Sequence, residues 1–366
     1  MIAGSRSPPI RAASPSAYGP STSQQRLRVS RAAAEVGGTF RRVVRDLLSL
    51  PKTNLHVHLE DSIRPQTVKE IAAANGRQAP PVTPITDSAS FFAAVNVVRN
   101  CLLTYDDFYR VALEYCADEA AQGTRYAEVS FTAAAHGERL GDMTLPLRAV
   151  LAGLAQGRAD HGLVTRLLLD HSRRRPVERA WATLRLAESH AGEGVVAVGL
   201  AGNEAYSGEP FVEVFRAARA AGLHVVHHAG EAAGPASIRQ AIVAGGAERL
   251  GHGIRILDDA ELVAEVAALG IPLDVCPHSN VLLGLIPSLA EHPLPRLLEA
   301  GLRVTVNTDI PAMTGAGLAA EYRLLRDAFG YGDEAVANVA RAGVHASFAP
   351  ADVKAQLLSA IDAWLA

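Results

Sequence analysis

Eight short runs of β-branched and apolar residues recur along this chain, at 54–59, 126–132, 163–170, 195–200, 224–228, 249–254, 272–275 and 303–307. Between them lie longer Ala-, Leu- and Arg-rich stretches of helical period, at 105–122, 145–160, 176–190, 210–221, 237–244, 258–269 and 294–300. Parallel strands need a long crossover, and eight strands with intervening helices are what a closed parallel sheet requires. The pattern predicts an α/β protein, a TIM (β/α)8 barrel. Gly222, Gly270 and Gly301 stand where a helix should end before the next strand. A doubly wound open sheet is the rival architecture. It is disfavoured because no Gly-x-Gly-x-x-Gly follows the first run and no acidic residue trails it at the expected distance.

One interval breaks the rhythm. The first and second runs are separated widely enough for a helical insertion after the first strand. Loops that follow barrel strands lie over the C-terminal face, so residues 64–105 are predicted to cover an active site.

The first residues are a different material. Residues 1–34 carry no Asp or Glu, five Arg, seven Ser and four Pro, too little apolar surface to offset the entropy of ordering. Residues 1–38 are therefore read as a disordered tail without chemistry, and residues 39–366 as the barrel domain, opened by a short helix over 39–48. The tail's composition fits an organelle transit peptide, but the favoured reading is an over-called start or a functionless leader. A net charge of −3 gives no basic surface to recommend nucleic acid as a partner. No apolar run approaches the roughly 18 residues of a membrane helix. The three cysteines, Cys101, Cys116 and Cys276, suit neither a disulfide framework nor a thiolate metal site, which makes a reducing cytoplasm the expected location.

The chemistry-bearing residues gather at strand ends. In His56-Val57-His58 the two imidazoles share one face of a strand, which is half of a zinc site. The fifth run ends in His227-His228-Ala-Gly-Glu231, the sixth carries His252 between two glycines, and the eighth ends in Asn307-Thr308-Asp309. Each run turns polar at the end where barrel enzymes place catalytic groups. Three histidines and one carboxylate drawn from such ends can surround one zinc and leave a position for water. His227 should point away from His228 into the strand–helix layer. His171 either lines the pocket or packs in the core, and Cys276 reads as a small packing residue.

The motifs Leu50-Pro-Lys-Thr-Asn-Leu-His-Val-His-Leu59, His228-Ala-Gly-Glu231, Arg249-Leu-Gly-His-Gly253, Cys276-Pro-His-Ser-Asn280 and Asn307-Thr-Asp309 resemble, in order and spacing, those of the adenosine deaminase family. The resemblance runs from Leu50 to Leu365. It implies one zinc per chain held by His56, His58, His228 and Asp309, with Glu231, His252 and Asp309 as catalytic residues. In this reading Glu231 gives a proton to a purine ring nitrogen, and His252 positions or deprotonates the attacking water. His58, Glu60, Gly202 and Ile310 fall at substrate-binding positions, and His278 stands near the pocket mouth. The partner implied is a small-molecule purine nucleoside or base. Oligomeric state is not legible.

Three departures bear on the substrate. Glu60-Asp61 stands where relatives that bind adenosine commonly have Asp-Gly, and Glu occurs there in relatives acting on free adenine. Ile310 replaces a common Asp that contacts the purine, and Gly199 stands where Asp is common before Leu-Ala-Gly. Lost polar contacts change selectivity strongly. The function expected is therefore zinc-dependent hydrolytic deamination of a 6-aminopurine nucleoside, adenosine by default. Adenine or a modified nucleoside is the alternative substrate, and an inactive binding homologue the remote alternative. A phosphotriesterase-like hydrolase would add a bridging lysine after the fourth strand, and residues 195–208 contain none.

Overall fold

Each of the eight runs becomes a strand. A computed structural model describes residues 45–79, 85 and 88–366. Its strands are β1 Lys52–His58, β2 Thr124–Phe131, β3 Val164–Ser172, β4 Val195–Ala201, β5 His224–Ala229, β6 Arg249–His252, β7 Leu273–Val275 and β8 Val304–Val306. All neighbours pair in parallel, in sequential order. An isolated bridge between Val57 and Asp309 joins the two ends of the sheet. There His58 donates its amide to the Asp309 carbonyl, and Asp309 donates its own to the His56 carbonyl, both at 2.9 Å. The Leu55 amide donates to the Asn307 side chain at 2.7 Å, continuing the seam.

Both faces of such a sheet are covered, which is why β1, β7 and β8 are buried at every residue. Apolar residues pointing outward, such as Val57, Val129 and Leu169, pack against the helices. Inside, the lower barrel is polar. Arg249, fully buried, reaches Asp274 at 2.5 Å and Glu128 at 2.6 Å. A buried guanidinium is tolerable only when paired in this way.

Crossovers β2–β3, β3–β4 and β4–β5 are carried by helices over Leu145–His161, Val177–Ser189 and Val212–Ala220. Later crossovers use Pro235–Arg239 with a π-helical turn over Gln240–Ala244, then Ala260–Leu269 and Leu294–Glu299. Gly222, Gly270 and Gly301 all adopt positive φ at the predicted helix ends. After β1 come a 3-10 turn over Glu60–Ser62 and helices Pro65–Ala74, Ser88–Cys101 and Tyr105–Ala121, so the helical insertion is present.

Two expectations are corrected or fall outside view. Residues 45–48 contain no helix, only the start of a turn at 47, and residues 1–44, which include the predicted tail and most of the predicted 39–48 helix, lie outside the described residues. Four further helices after β8, at Pro311–Thr314, Leu318–Asp327, Asp333–Ala346 and Ala351–Leu365, were not anticipated. Among the described residues, no helix is long and apolar enough to cross a membrane.

Candidate active site at the strand ends

The strand ends converge on a cleft of the concave kind that small molecules occupy, open to solvent at its mouth. His56 and His58 project inward from β1, two residues apart, while Val57 lies fully buried behind them. Gly251 on β6 makes room for His56, since a Cβ there would sit 2.6 Å from the imidazole Cε1. His228 arrives from the end of β5, and its Nε2 lies 3.2 Å from that of His58. Asp309 follows β8, with Oδ1 3.5 Å from His56 Nε2 and 3.4 Å from His58 Nε2. Ser279 holds its other oxygen at 2.6 Å.

Four nitrogen and oxygen donors therefore face one another in a buried space. Burial pushes the Asp309 carboxyl up, but the surrounding imidazoles of His56, His252 and His58 hold it well below the usual range. Burial holds His228 well below its ordinary value, as a neutral imidazole. His56 Nε2 is buried with no hydrogen-bond partner. Such an orphan nitrogen beside a carboxylate and two further imidazoles fits a divalent cation with borderline-soft preferences. One geometric grouping of possible ligands is His56, His228, His252 and Asp309, with His252 in place of His58. Both histidines are close enough, so distance alone does not choose between them.

Around the donors, His252 Nε2 lies 3.6 Å from Glu231 Oε1 and 4.0 Å from Asp309 Oδ2. His252 and Asp309 are the two non-glycine residues with positive φ among the described residues, at 65° and 57°. Strain of this kind gathers at functional sites. Burial raises the Glu231 carboxyl above its ordinary range, against the pull of His252. The Glu231 backbone is fixed from the loop after β4. There the Glu204 carboxylate accepts from the amides of Gly230, Glu231, Ala232 and Ala233 and from the Ser237 hydroxyl, at 2.6–2.9 Å.

The cleft wall differs from the sequence expectation in several places. His58, Gly202, Glu231, His252 and Asp309 line it. Glu60 and Ile310 do not. Glu60 turns away to accept from the Thr132 amide and hydroxyl and to meet His136 Nε2 at 3.2 Å. Burial opposes its charge, yet His136, Arg99 and Thr132 hold its carboxyl below the ordinary range. Ile310 is buried, 1% exposed, and does not reach the cleft. The next residue after Glu60 takes the place at the cleft wall. Asp61 lines the cleft, is 2% exposed, and its Oδ1 has no hydrogen-bond partner. Burial pushes its carboxyl up to about 6.

His278 pairs with Glu321 at 2.8 Å instead of facing the cleft. His171 packs on the Phe211 ring and His227 on the Phe215 ring, both outside the cleft. Cys276 is buried, its thiol pushed well up by burial. Phe91, Val95 and Arg99 of the Ser88–Cys101 helix wall the cleft, within the 64–105 segment expected to cover it, although the sequence singled out none of the three. Asp170 was missed too, because a carboxylate at the end of an apolar run looks like any strand terminus.

Comparison with known proteins agrees with this architecture. The model of the adenosine deaminase family matches residues 51–364. A putative adenosine/adenine deaminase of Streptomyces coelicolor is 33% identical, over 88% of this chain and 98% of that protein. An aminodeoxyfutalosine deaminase from the same organism is 36% identical, over 87% of each chain. Among solved structures, an adenine deaminase from Arthrobacter aurescens aligns with a TM-score of 0.82 at 30% identity, covering 86% of this chain and 99% of that one.

Proposed function

The chain belongs to the adenosine deaminase family of metal-dependent deaminases, and on that footing we propose that it converts a 6-aminopurine nucleoside to the 6-oxo product and ammonia by hydrolysis. Adenosine is the default substrate, and a single zinc is the metal, held by His56, His58, His228 and Asp309. When bound there, zinc polarises a water and brings its pKa to about 7.

The protein's own groups supply the rest. An aminopurine resists attack at C6 until a ring nitrogen is protonated. Glu231, its carboxyl raised by burial, gives that proton and so draws electrons from C6. The water oxygen adds to C6 while its proton passes to a neighbouring base. His252 and Asp309 line the cleft and would hold that oxygen by hydrogen bonds. Collapse of the tetrahedral carbon passes one of the water's protons to the departing nitrogen and the other back to Glu231, leaving the 6-oxo product and ammonia. Gly202, at φ 91°, lets the backbone approach the flat face of the base.

The observation that carries a nucleoside, as opposed to free adenine, is Asp61. A buried carboxylate without a partner is costly unless a ligand supplies a donor. Glu60 has withdrawn from the cleft, which leaves room there, and a glycosyl hydroxyl would satisfy Asp61. A second reading is favoured by Arg99, whose Nε is buried without a hydrogen bond and which lines the same cleft. It suits a modified nucleoside with an acceptor group on its sugar. Ammonia release from adenosine, deoxyadenosine, adenine and 5′-modified adenosines, with metal content measured on the same sample, tests the reading. No turnover across that panel by zinc-loaded protein would sink it.

A further inference from the structure

Behind His252 runs a line of three buried polar side chains. The Leu294 amide donates to His292 Nδ1 at 3.1 Å. His292 Nε2 lies 3.2 Å from Asn280 Oδ1. Asn280 Nδ2 lies 3.2 Å from His252 Nδ1. His252, Asn280 and His292 are at most 3% exposed, so water does not compete for these contacts.

The direction of every hydrogen in the line follows from its far end. A backbone amide can only donate, so His292 Nδ1 must accept and carries no proton. Burial keeps this imidazole neutral near pH 7, its pKa lowered to about 4. A neutral ring with a bare Nδ1 has its proton on Nε2, which then donates to Asn280. The Asn280 atom facing His292 must therefore be the carbonyl oxygen, and the one facing His252 the amide nitrogen. That nitrogen donates to His252 Nδ1. The proton of a neutral His252 must sit on Nε2, the nitrogen facing Glu231 and Asp309.

We propose that Asn280 and His292 are positioning residues that lock His252 as the Nε2–H tautomer, so that it donates a hydrogen bond into the site. Through that nitrogen it neither ligates the metal nor accepts a proton from the attacking water. The inference rests on the deaminase reading for its consequence but on the relay alone for the tautomer. It also chooses between the two candidate donor sets, since only His58 then offers a bare nitrogen as the fourth ligand. The reverse arrangement would flip Asn280 and set the His292 Nδ1 proton against the Leu294 amide hydrogen, 3.1 Å from nitrogen to nitrogen. A base other than His252 must then take the water's proton.

The test is nitrogen-15 NMR of full-length protein labelled at histidine, metal-free and zinc-loaded, with two-bond proton correlations to identify the tautomers. The proposal expects His252 and His292 both protonated on Nε2 near pH 7 in either state. A bare Nε2 on His252 in the wild type overturns it. Asn280→Asp presents acceptors to both rings, so His252 should move its proton to Nδ1. That variant should keep one zinc per chain and lose turnover by about 100-fold or more, the range of a lost acid–base or charge-stabilising contact. Full turnover with the proton moved overturns the role. His292→Gln keeps a donor toward Asn280 and an acceptor toward Leu294, so the Nε2–H signature should persist, whereas His292→Glu should abolish it. Should either fold poorly, the wild-type spectrum still decides the tautomer. A wild type with Nε2–H on His252 but no ammonia from any aminopurine would refute the deaminase reading and leave the tautomer standing.

Discussion

Gly199 of β4 faces Asp170 of β3 in register, and a Cβ at 199 would overlap the Asp170 Oδ1. The absence of a side chain at one position is what admits the carboxylate at the other. Asp170 Oδ2 lies 3.3 Å from His58 Nδ1, on the side of the ring away from the other donors. A carboxylate there orients the imidazole and raises its basicity as a ligand. Gly199→Ala should displace Asp170 and weaken zinc binding by about 10- to 100-fold, as should Asp170→Asn. Competition with a chelator of known affinity measures it. Unchanged affinity in both variants would remove Asp170 from the metal's support.

Asp61 and Glu60 are adjacent acids with opposite tasks. Asp61→Asn should raise KM for a nucleoside by about 10- to 100-fold, the worth of a hydrogen bond to a charged group, while leaving turnover of free adenine, if any, unchanged. Equal effects on nucleoside and base would show that Asp61 does not read a sugar.

Because the Asp61 carboxyl is pushed up to about 6, it loses its charge within an accessible range. Below that pH the acceptor is protonated and weakened as a partner for a hydroxyl. Nucleoside kcat/KM should therefore fall as pH drops through about 6, and this limb should vanish in Asp61→Asn. A limb that persists in the variant belongs to another group.

Glu60 by contrast holds the fold. Its carboxyl sits below the ordinary carboxylate range, so its contribution is present above the unfolded-state pKa and is lost as pH falls through the lower folded value. Glu60→Ala would strand the buried Thr132 and His136 donors and should cost about 2–4 kcal/mol in urea denaturation. KM should change little. A large KM effect without loss of stability would return Glu60 to the substrate.

These contrasts show what was legible in the sequence. Strand periodicity located all eight strands, and the polar turn at each strand end located His56, His58, His228, His252 and Asp309, because barrel geometry brings such ends together whatever lies between. Side-chain direction in the turn after β1 was not legible. Glu60 and Asp61 sit in a 3-10 turn where neighbouring residues face different surroundings, and no strand alternation assigns them. Gly199 could be read only as a missing acid. That Asp170 fills the same space from the neighbouring strand depends on register. Likewise Asn280 and His292 are separated from His252 by whole elements, and only the closed fold aligns them.

The central claim is that Glu231 protonates the purine beside a metal it does not ligate. Ammonia release and zinc content should be measured together on wild type and Glu231→Gln, a change that keeps size and removes the acid. The account predicts one zinc per chain in both proteins, ready turnover of at least one aminopurine by the wild type, and none detectable in the variant. Turnover surviving in a zinc-loaded Glu231→Gln would contradict it.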